Sequence, residues 1–226
     1  MSEQPNTQAT LLQRPNINDK ELWKAYWEKQ DQPWRTEPEI DTERQKYLSQ
    51  RRAITPDIAQ GIYPFQGIKL NRADIEWLLA THENGCGPIE WNFESPRRGE
   101  GIDLRGSDLR GVNLHDLPLS CIRAGLSRSE ASSTTLQQRN MALVHLQDAD
   151  LSFAHLEGAY LRNARLEGTY LRGTHLEGAN LFGAHLEGAY LRETHLEGAS
   201  LRSAFFDSGT NLQQVVLGQE KLGVAL

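Results

Sequence analysis

From Val144 to Ser208 the chain repeats every five residues, thirteen times, without a break in register. The third residue of each unit is Leu146, Leu151, Leu156, Leu161, Leu166, Leu171, Leu176, Leu181, Leu186, Leu191, Leu196, Leu201 and, last, Phe206. Two places before each of these stands a Val, Ala or Thr. A strict repeat outranks any propensity reading. A period of five fits neither an α-helix nor a flat strand. Within one unit, however, small-x-Leu alternates as a strand does, so the small residue and the Leu face one way and the residue between them the other. The two remaining places must turn the chain. Gly is frequent at the second of them, as at Gly168 and Gly173, where it accepts backbone angles that other residues resist. Each unit is a short straight side followed by a corner. A chain that turns the same way after every side winds into a solenoid with Leu in a narrow core. One Leu per five residues cannot offset the entropy of ordering five residues of backbone. Hydrogen bonds between stacked coils must supply much of the stability, and the coil ends need cover.

Units such as Ala149-Asp150-Leu151 and Ala179-Asn180-Leu181 resemble the Ala-(Asp/Asn)-Leu-x-x consensus of the pentapeptide-repeat family, which has bacterial members. The resemblance extends over about half the chain. It implies a mainly β fold, a right-handed quadrilateral β-helix with four units to each coil. With that geometry, a second period of ten in the sequence makes opposite faces alike and adjacent faces different. One column stacks His155, His175 and His195 beside Glu157, Glu177 and Glu197. The face opposite carries His145, Arg165 and His185 beside Gln147, Glu167 and Glu187. The third carries Tyr160, Asn180 and Ser200 beside Arg162, Phe182 and Arg202, and the fourth Asp150, Tyr170 and Tyr190 beside Ser152, Arg172 and Arg192.

The remainder divides into a loose N-terminus (1–17), a helical N-terminal cap region (18–94), a polar linker (95–101), the repeat region (102–219) and a short tail (220–226). In the cap region, a helix starts near Asp19, with Leu22, Trp23, Tyr26 and Trp27 as its apolar stripe and Pro33 closing the segment. A second helix covers Asp41 to Arg52 with Tyr47 and Leu48 facing in. Ile68 to Trp77 reads two ways. Ile68-Lys69-Leu70 and Ala73-Asp74-Ile75 both fit the repeat, whereas Asn71 ahead of Asp74 reads as a helix cap and favours a helix from about Arg72 to His82. Early units carry Leu104, Leu109, Leu114 and Leu119. An insertion at about 121–143 then shifts the register and holds one short helix between Thr135 and Leu143. Insertions in solenoids fall on one face and serve either as binding elements or as tolerated excursions.

The net charge of −6 and the mixture of Glu with Arg in the repeat disfavour nucleic acid, which needs a concentrated basic face. No run is long enough to span a membrane. Cys86 and Cys121 form no disulfide framework, so a reducing cytoplasm is expected. The sequence has no nucleophile elbow, Walker loop or dinucleotide fingerprint, and no catalytic residue, cofactor or metal is assigned. His82 and Cys86 lack a second ligand pair, and a His/Glu ladder is expected to diverge where a metal needs three or four converging ligands. The expected function is a non-enzymatic scaffold that binds a protein partner. Its candidate face is Tyr160, Arg162, Tyr170, Arg172, Tyr190, Arg192 and Arg202, because Tyr and Arg are favoured at interfaces. Self-association through the C-terminal coil end is a further possibility. The resemblance implies one alternative, a DNA-mimicking regulator of gyrase, a type II topoisomerase. Mixed Arg and Glu on the faces weaken that reading. A second alternative is metal binding through the His/Glu ladders.

Overall fold

The computed structural model describes residues 13–16, 19–82, 88–89 and 101–218. Cys86, most of the 95–101 linker and the 220–226 tail lie outside them. The described residues up to Pro38 form one compact unit and those from Glu39 on a second.

The first unit holds α1 (Lys20–Glu28), capped by Asp19, whose side chain accepts from the Glu21 and Leu22 backbone N–H groups. Trp23 and Trp27 are buried and stacked at 5.6 Å, but Leu22 is exposed. The Arg35 guanidinium lies 3.5 Å from the Trp27 ring centroid, and Trp27 Nε1 donates to the Glu37 carbonyl at 2.9 Å. Among its described residues this unit contains one helix, and the others expected in a single 18–94 region belong to the second unit.

In the second unit, α2 (Thr42–Arg52) buries Leu48 but leaves Tyr47 exposed. Of the two units that fit the repeat, Ile68–Leu70 is a coil side and Ala73–Ile75 is instead helical, as the capping reading expected. Lys69 pairs in parallel with Asp108, so Ile68–Leu70 stacks as a coil side. Asn71 then caps α3 (Arg72–Ala80) with a reciprocal Asn71–Asp74 capping box, and Arg44 clamps the same Asp74 through two 2.8 Å hydrogen bonds.

The repeat region is a stack of coils. Every parallel bridge from His145–Arg165 to His185–Phe205 spans twenty residues, so four units make one coil. The backbone is used heavily between coils: His175 N–H donates to Ala154 O, Leu176 N–H to His195 O, and Gly178 N–H to Glu197 O. The corner closes within the unit as Ala179 N–H donates to Leu176 O. Leu146 through Leu196 are at most 4% exposed. Thr169, Thr174 and Thr194 stand among the small inward residues, and their hydroxyls donate to the carbonyls of Leu146, Leu151 and Leu171 on the coil beneath.

Phe206 departs from the expected core. It is 41% exposed, as are Leu212 and Leu217 at similar levels, because no described coil stacks over them. The other end differs: Leu104, Leu109 and Leu114 are each 1% exposed. There Ile68–Leu70 lies on the first coil, and Arg72 donates to Asn113 Oδ1 and the His115 carbonyl.

Corners take positive φ whether or not they are Gly: Asp148, Phe153, Asn163, Glu193 and Ser203 sit at 56–61°. At Gly173 (φ 62°) the absence of a side chain has a second use. A Cβ there would come within 2.6 Å of the Phe153 ring. Gly173→Ala is expected to cost about 1–2 kcal/mol in backbone strain alone and to displace Phe153. Thermal unfolding should show it as a midpoint lowered by about 2–4 °C per kcal/mol, whereas a melt unchanged from the native chain would remove this role for the corner.

The insertion leaves the coil after Ala124 and returns at Val144, whose N–H donates to Ala124 O. Bridges across it, such as Asp108–His145 and Arg123–Tyr160, span thirty-seven residues instead of twenty, so the winding resumes on the same side after seventeen extra residues. It holds two short helices where one was expected, α4 (Arg128–Ser132) and α5 (Leu136–Met141), each with a capping box. It is packed down, not free: Leu126, Ala131 and Ala142 form a buried cluster with Tyr63.

Candidate functional site

The seven candidate Tyr and Arg residues fall on two columns half a coil apart, so no single flat partner meets them all. The first column runs Asn113, Asp150, Tyr170, Tyr190, Asn211. Tyr170 and Tyr190 stack at 4.9 Å with their rings 5° from parallel, yet remain 49% and 45% exposed. Coil spacing imposes this stacking, since identical positions on adjacent coils lie one strand spacing apart. Beside them, Arg172 and Arg192 both reach one carboxylate, Glu193, at 3.3 and 3.1 Å. Phe153 extends the patch: it is exposed, 5.4 Å from the His115 ring and 5.8 Å from the Arg172 guanidinium. Sequence reasoning passed over Phe153 because it occupies a corner. An aromatic where the repeat favours Gly was the available signal.

The second column runs Asp103, Arg123, Tyr160, Asn180, Ser200. Its side chains are tied up more than exposed. Arg162 lies 3.9 Å over the Phe182 ring, and burial, with Arg139 and Arg128 nearby, lowers its pKa. Tyr160 is half-buried, and Arg202 is exposed.

The third column runs Pro118, His155, His175, His195, Val216. Its histidine rings stack at 4.8 and 4.7 Å. Each Nδ1 faces the Glu two residues on, at 2.8 Å for His155–Glu157, 3.0 Å for His175–Glu177 and 3.6 Å for His195–Glu197. Ser120 donates to Glu157 Oε2 at 2.7 Å, while Oε2 of Glu177 and of Glu197 is buried with no hydrogen-bond partner. Ligand atoms of His155, Glu157 and His175, and likewise of His175, Glu177 and His195, all lie within 4.8 Å of one another. The ladder therefore converges in threes, where the sequence reading expected it to diverge.

The fourth column, Asp108, His145, Arg165, His185, Phe205, is interrupted by a cation and ends on an aromatic ring. Arg165 pairs with Glu167 at 2.5 Å. A hydrogen bond from Arg110 holds Asp108 down at about 2, and burial lowers the His145 pKa, with Arg110 adding to the effect. Asn140 and Leu143 of the insertion line two shallow clefts along this column, of about 310 and 280 Å³. Neither cleft, among the described residues, sets a nucleophile beside a base. No helix among the described residues is long and apolar enough to cross a membrane.

Residues 140–178 and 179–219 match the family model described as Pentapeptide repeats, in eight copies. Among solved structures, the chain is similar to a pentapeptide repeat protein from the Arabidopsis thaliana thylakoid lumen, at 22% identity over 57% of this chain and 68% of that one, with a TM-score of 0.31. It is similar to a pentapeptide repeat protein from Nostoc Pcc 7120 at 41% identity over 32% of this chain and 55% of that one, with a TM-score of 0.27. A third is QnrB1, a plasmid-mediated fluoroquinolone resistance protein, at 18% identity over 53% of this chain and 79% of that one, with a TM-score of 0.28. No curated protein matches the chain. The five-residue period, the twenty-residue bridges and the family match coincide over residues 140–219, and that segment is built of pentapeptide repeats.

Proposed function

We propose that this protein is a non-enzymatic interaction module, a right-handed quadrilateral β-helix that presents its Tyr170 column to a protein partner in the cytoplasm. One observation carries the reading: Tyr170 and Tyr190 are held parallel at 4.9 Å while nearly half exposed, inside a patch that also holds Phe153, Arg172 and Arg192. Aromatic rings fixed before binding lose little conformational freedom on docking, and Tyr and Arg dominate binding hot spots. Two guanidinium groups share the single Glu193 carboxylate. With Asp150 one coil below Tyr170 the face is balanced in overall charge, and its exposed rings beside two guanidinium groups suit a partner with an apolar surface and a carboxylate at its edge. The DNA-mimicking alternative needs an unbroken negative field. Here cations break the field at short range, Arg165 beside Glu167 and Arg172 and Arg192 beside Glu193.

The test is quantitative capture followed by affinity measurement on the purified partner. Tyr170→Ala combined with Tyr190→Ala is expected to weaken binding at least about tenfold. Arg202→Ala, on the other column, should leave it unchanged. Binding that survives the double Tyr substitution, or falls equally with Arg202→Ala, overturns the assignment of this face.

A further inference from the structure

We infer that His175, Glu177 and His195 form a binding site for a single divalent transition-metal ion of the zinc class. Three observations together point to this triplet, the second of which Glu167, Glu187 and Glu197 share without a pair of flanking histidines. The first is the bite of one rung. His175 Nδ1 and Glu177 Oε1 stand 3.0 Å apart. Two ligands each about 2.0–2.2 Å from one ion, at an angle between a right angle and the tetrahedral value, stand roughly 3.0–3.4 Å apart. An ion can replace the proton shared by the pair with little movement of either side chain.

The second is an unsatisfied carboxylate oxygen. Glu177 is 8% exposed, and its Oε2 is buried without a hydrogen-bond partner. A buried carboxylate oxygen in that state is costly unless a cation or donor meets it. Glu157, one coil below, is equally buried, but its Oε2 is already met by Ser120 at 2.7 Å. The lower triplet therefore lacks the open valence that the upper one has.

The third is the looseness of the remaining ligand. The His195 Nδ1–Glu197 Oε1 separation of 3.6 Å is too long for a hydrogen bond. The His195 ring is thus the least held of the three, and it stacks 4.7 Å from His175. Metal binding requires this ring to tilt out of the stack so that one of its nitrogens turns onto an ion seated at the His175–Glu177 rung. Imidazole and carboxylate are ligands that zinc, cobalt and nickel accept, and three protein ligands leave one position for water. On the opposite column Arg165 stands between His145 and His185, and His185 stacks on Phe205, so that ladder supplies an internal control.

The experiment is calorimetric titration of the untagged, chelator-washed full-length chain with zinc chloride, repeated with cobalt chloride and read by visible absorption. One zinc per chain is expected, with a Kd on the order of micromolar, and cobalt should develop ligand-field bands. Loss of outer-shell partners alone costs metal sites roughly 10–100-fold in affinity, so His175→Ala should cost at least as much. Glu177→Gln, which keeps shape and volume, should also weaken binding about tenfold or more. His185→Ala and His155→Ala should leave the affinity within about threefold. A zinc-induced rise in melting temperature that Glu177→Gln abolishes would support the site even if His175→Ala folds poorly. Absence of zinc binding, binding that survives Glu177→Gln, or an equal loss in His185→Ala overturns the proposal. So does a loss confined to His155→Ala, which would move the ion to the lower triplet.

Discussion

Arg105→Ala is expected to destabilise the protein by about 3–5 kcal/mol, the usual result of removing one partner from a buried ion pair. The Arg105 side chain is 1% exposed and bonds Asp103 at 2.5 Å and Glu130 at 3.1 Å. Its guanidinium also lies 4.8 Å from the centroid of the Tyr63 ring. It therefore ties a coil side, the insertion and the segment before α3 at one point. A local comparison is built into the chain. Asp103-Leu104-Arg105-Gly106 and Asp108-Leu109-Arg110-Gly111 are the same four residue types. The second pair has the same geometry, 2.6 Å between Arg110 and Asp108, but its Arg side chain is 61% exposed. Solvent screens that pair, and Arg110→Ala should scarcely move the melt. Arg105→Ala should lower it on the order of 10 °C and open residues 126–143 to protease first. Equal effects from the two substitutions would remove burial as the cause.

The same hub should give an acid signature. Burial by itself pushes the Glu130 carboxyl up, but the Ser127 backbone N–H, Arg123 and Arg105 outweigh it and hold it below its ordinary range. A carboxylate whose pKa is lower folded than unfolded stabilises the fold above its unfolded value and loses that contribution as pH falls through its folded value. The insertion should therefore loosen as the medium is acidified below the ordinary carboxylate range, and the Arg105→Ala chain should show less of this dependence.

The coil was legible because one inward Leu per five residues leaves few other foldings, and the stacking of outward columns followed once four units made a coil. The insertion was legible only in part. Ser127 and Glu130 carry the Ser-x-x-Glu pattern of a capping box, yet a five-residue helix in a Ser-rich stretch has too little apolar periodicity to stand out. Tyr47 and Leu48 adjoin in sequence, and only tertiary packing decides that Leu48 turns in and Tyr47 out. At Ile68–Leu70 and Asn71, sequence presented rivals because a coil side and a helix cap each need just a few residues, and the chain uses both in succession. The His175–Glu177–His195 grouping depended on ring rotamers and on which carboxylate oxygen Ser120 occupies. A period of ten repeats the residue types but not those partners.

Leu171→Ala should cost about 2–5 kcal/mol, toward the upper end of that range. Leu171 is 1% exposed in the middle of the stack. A cavity is least costly where walls can collapse into it, and here they cannot. Leu171 N–H donates to Tyr190 O at 2.9 Å, and Leu171 O accepts from the Thr174 N–H and the Thr194 hydroxyl. The inward neighbours Thr169 and Thr174 are too short to fill the space, and their hydroxyls are engaged with the coil below. Leu201→Ala removes the same atoms from a position that is already partly exposed, so it should cost clearly less. Because each coil touches mainly the coils beside it, stability is close to a sum of neighbour terms along the stack. The defect at Leu171 should therefore uncouple the two sides of the break instead of weakening all coils alike. Hydrogen exchange is the measurement: amides from residue 176 onward should exchange well before those of residues 101–165, which the insertion and α3 brace. Uniform acceleration across both segments would mean that the coils unfold as one cooperative block, and that the neighbour-by-neighbour account is wrong for this solenoid.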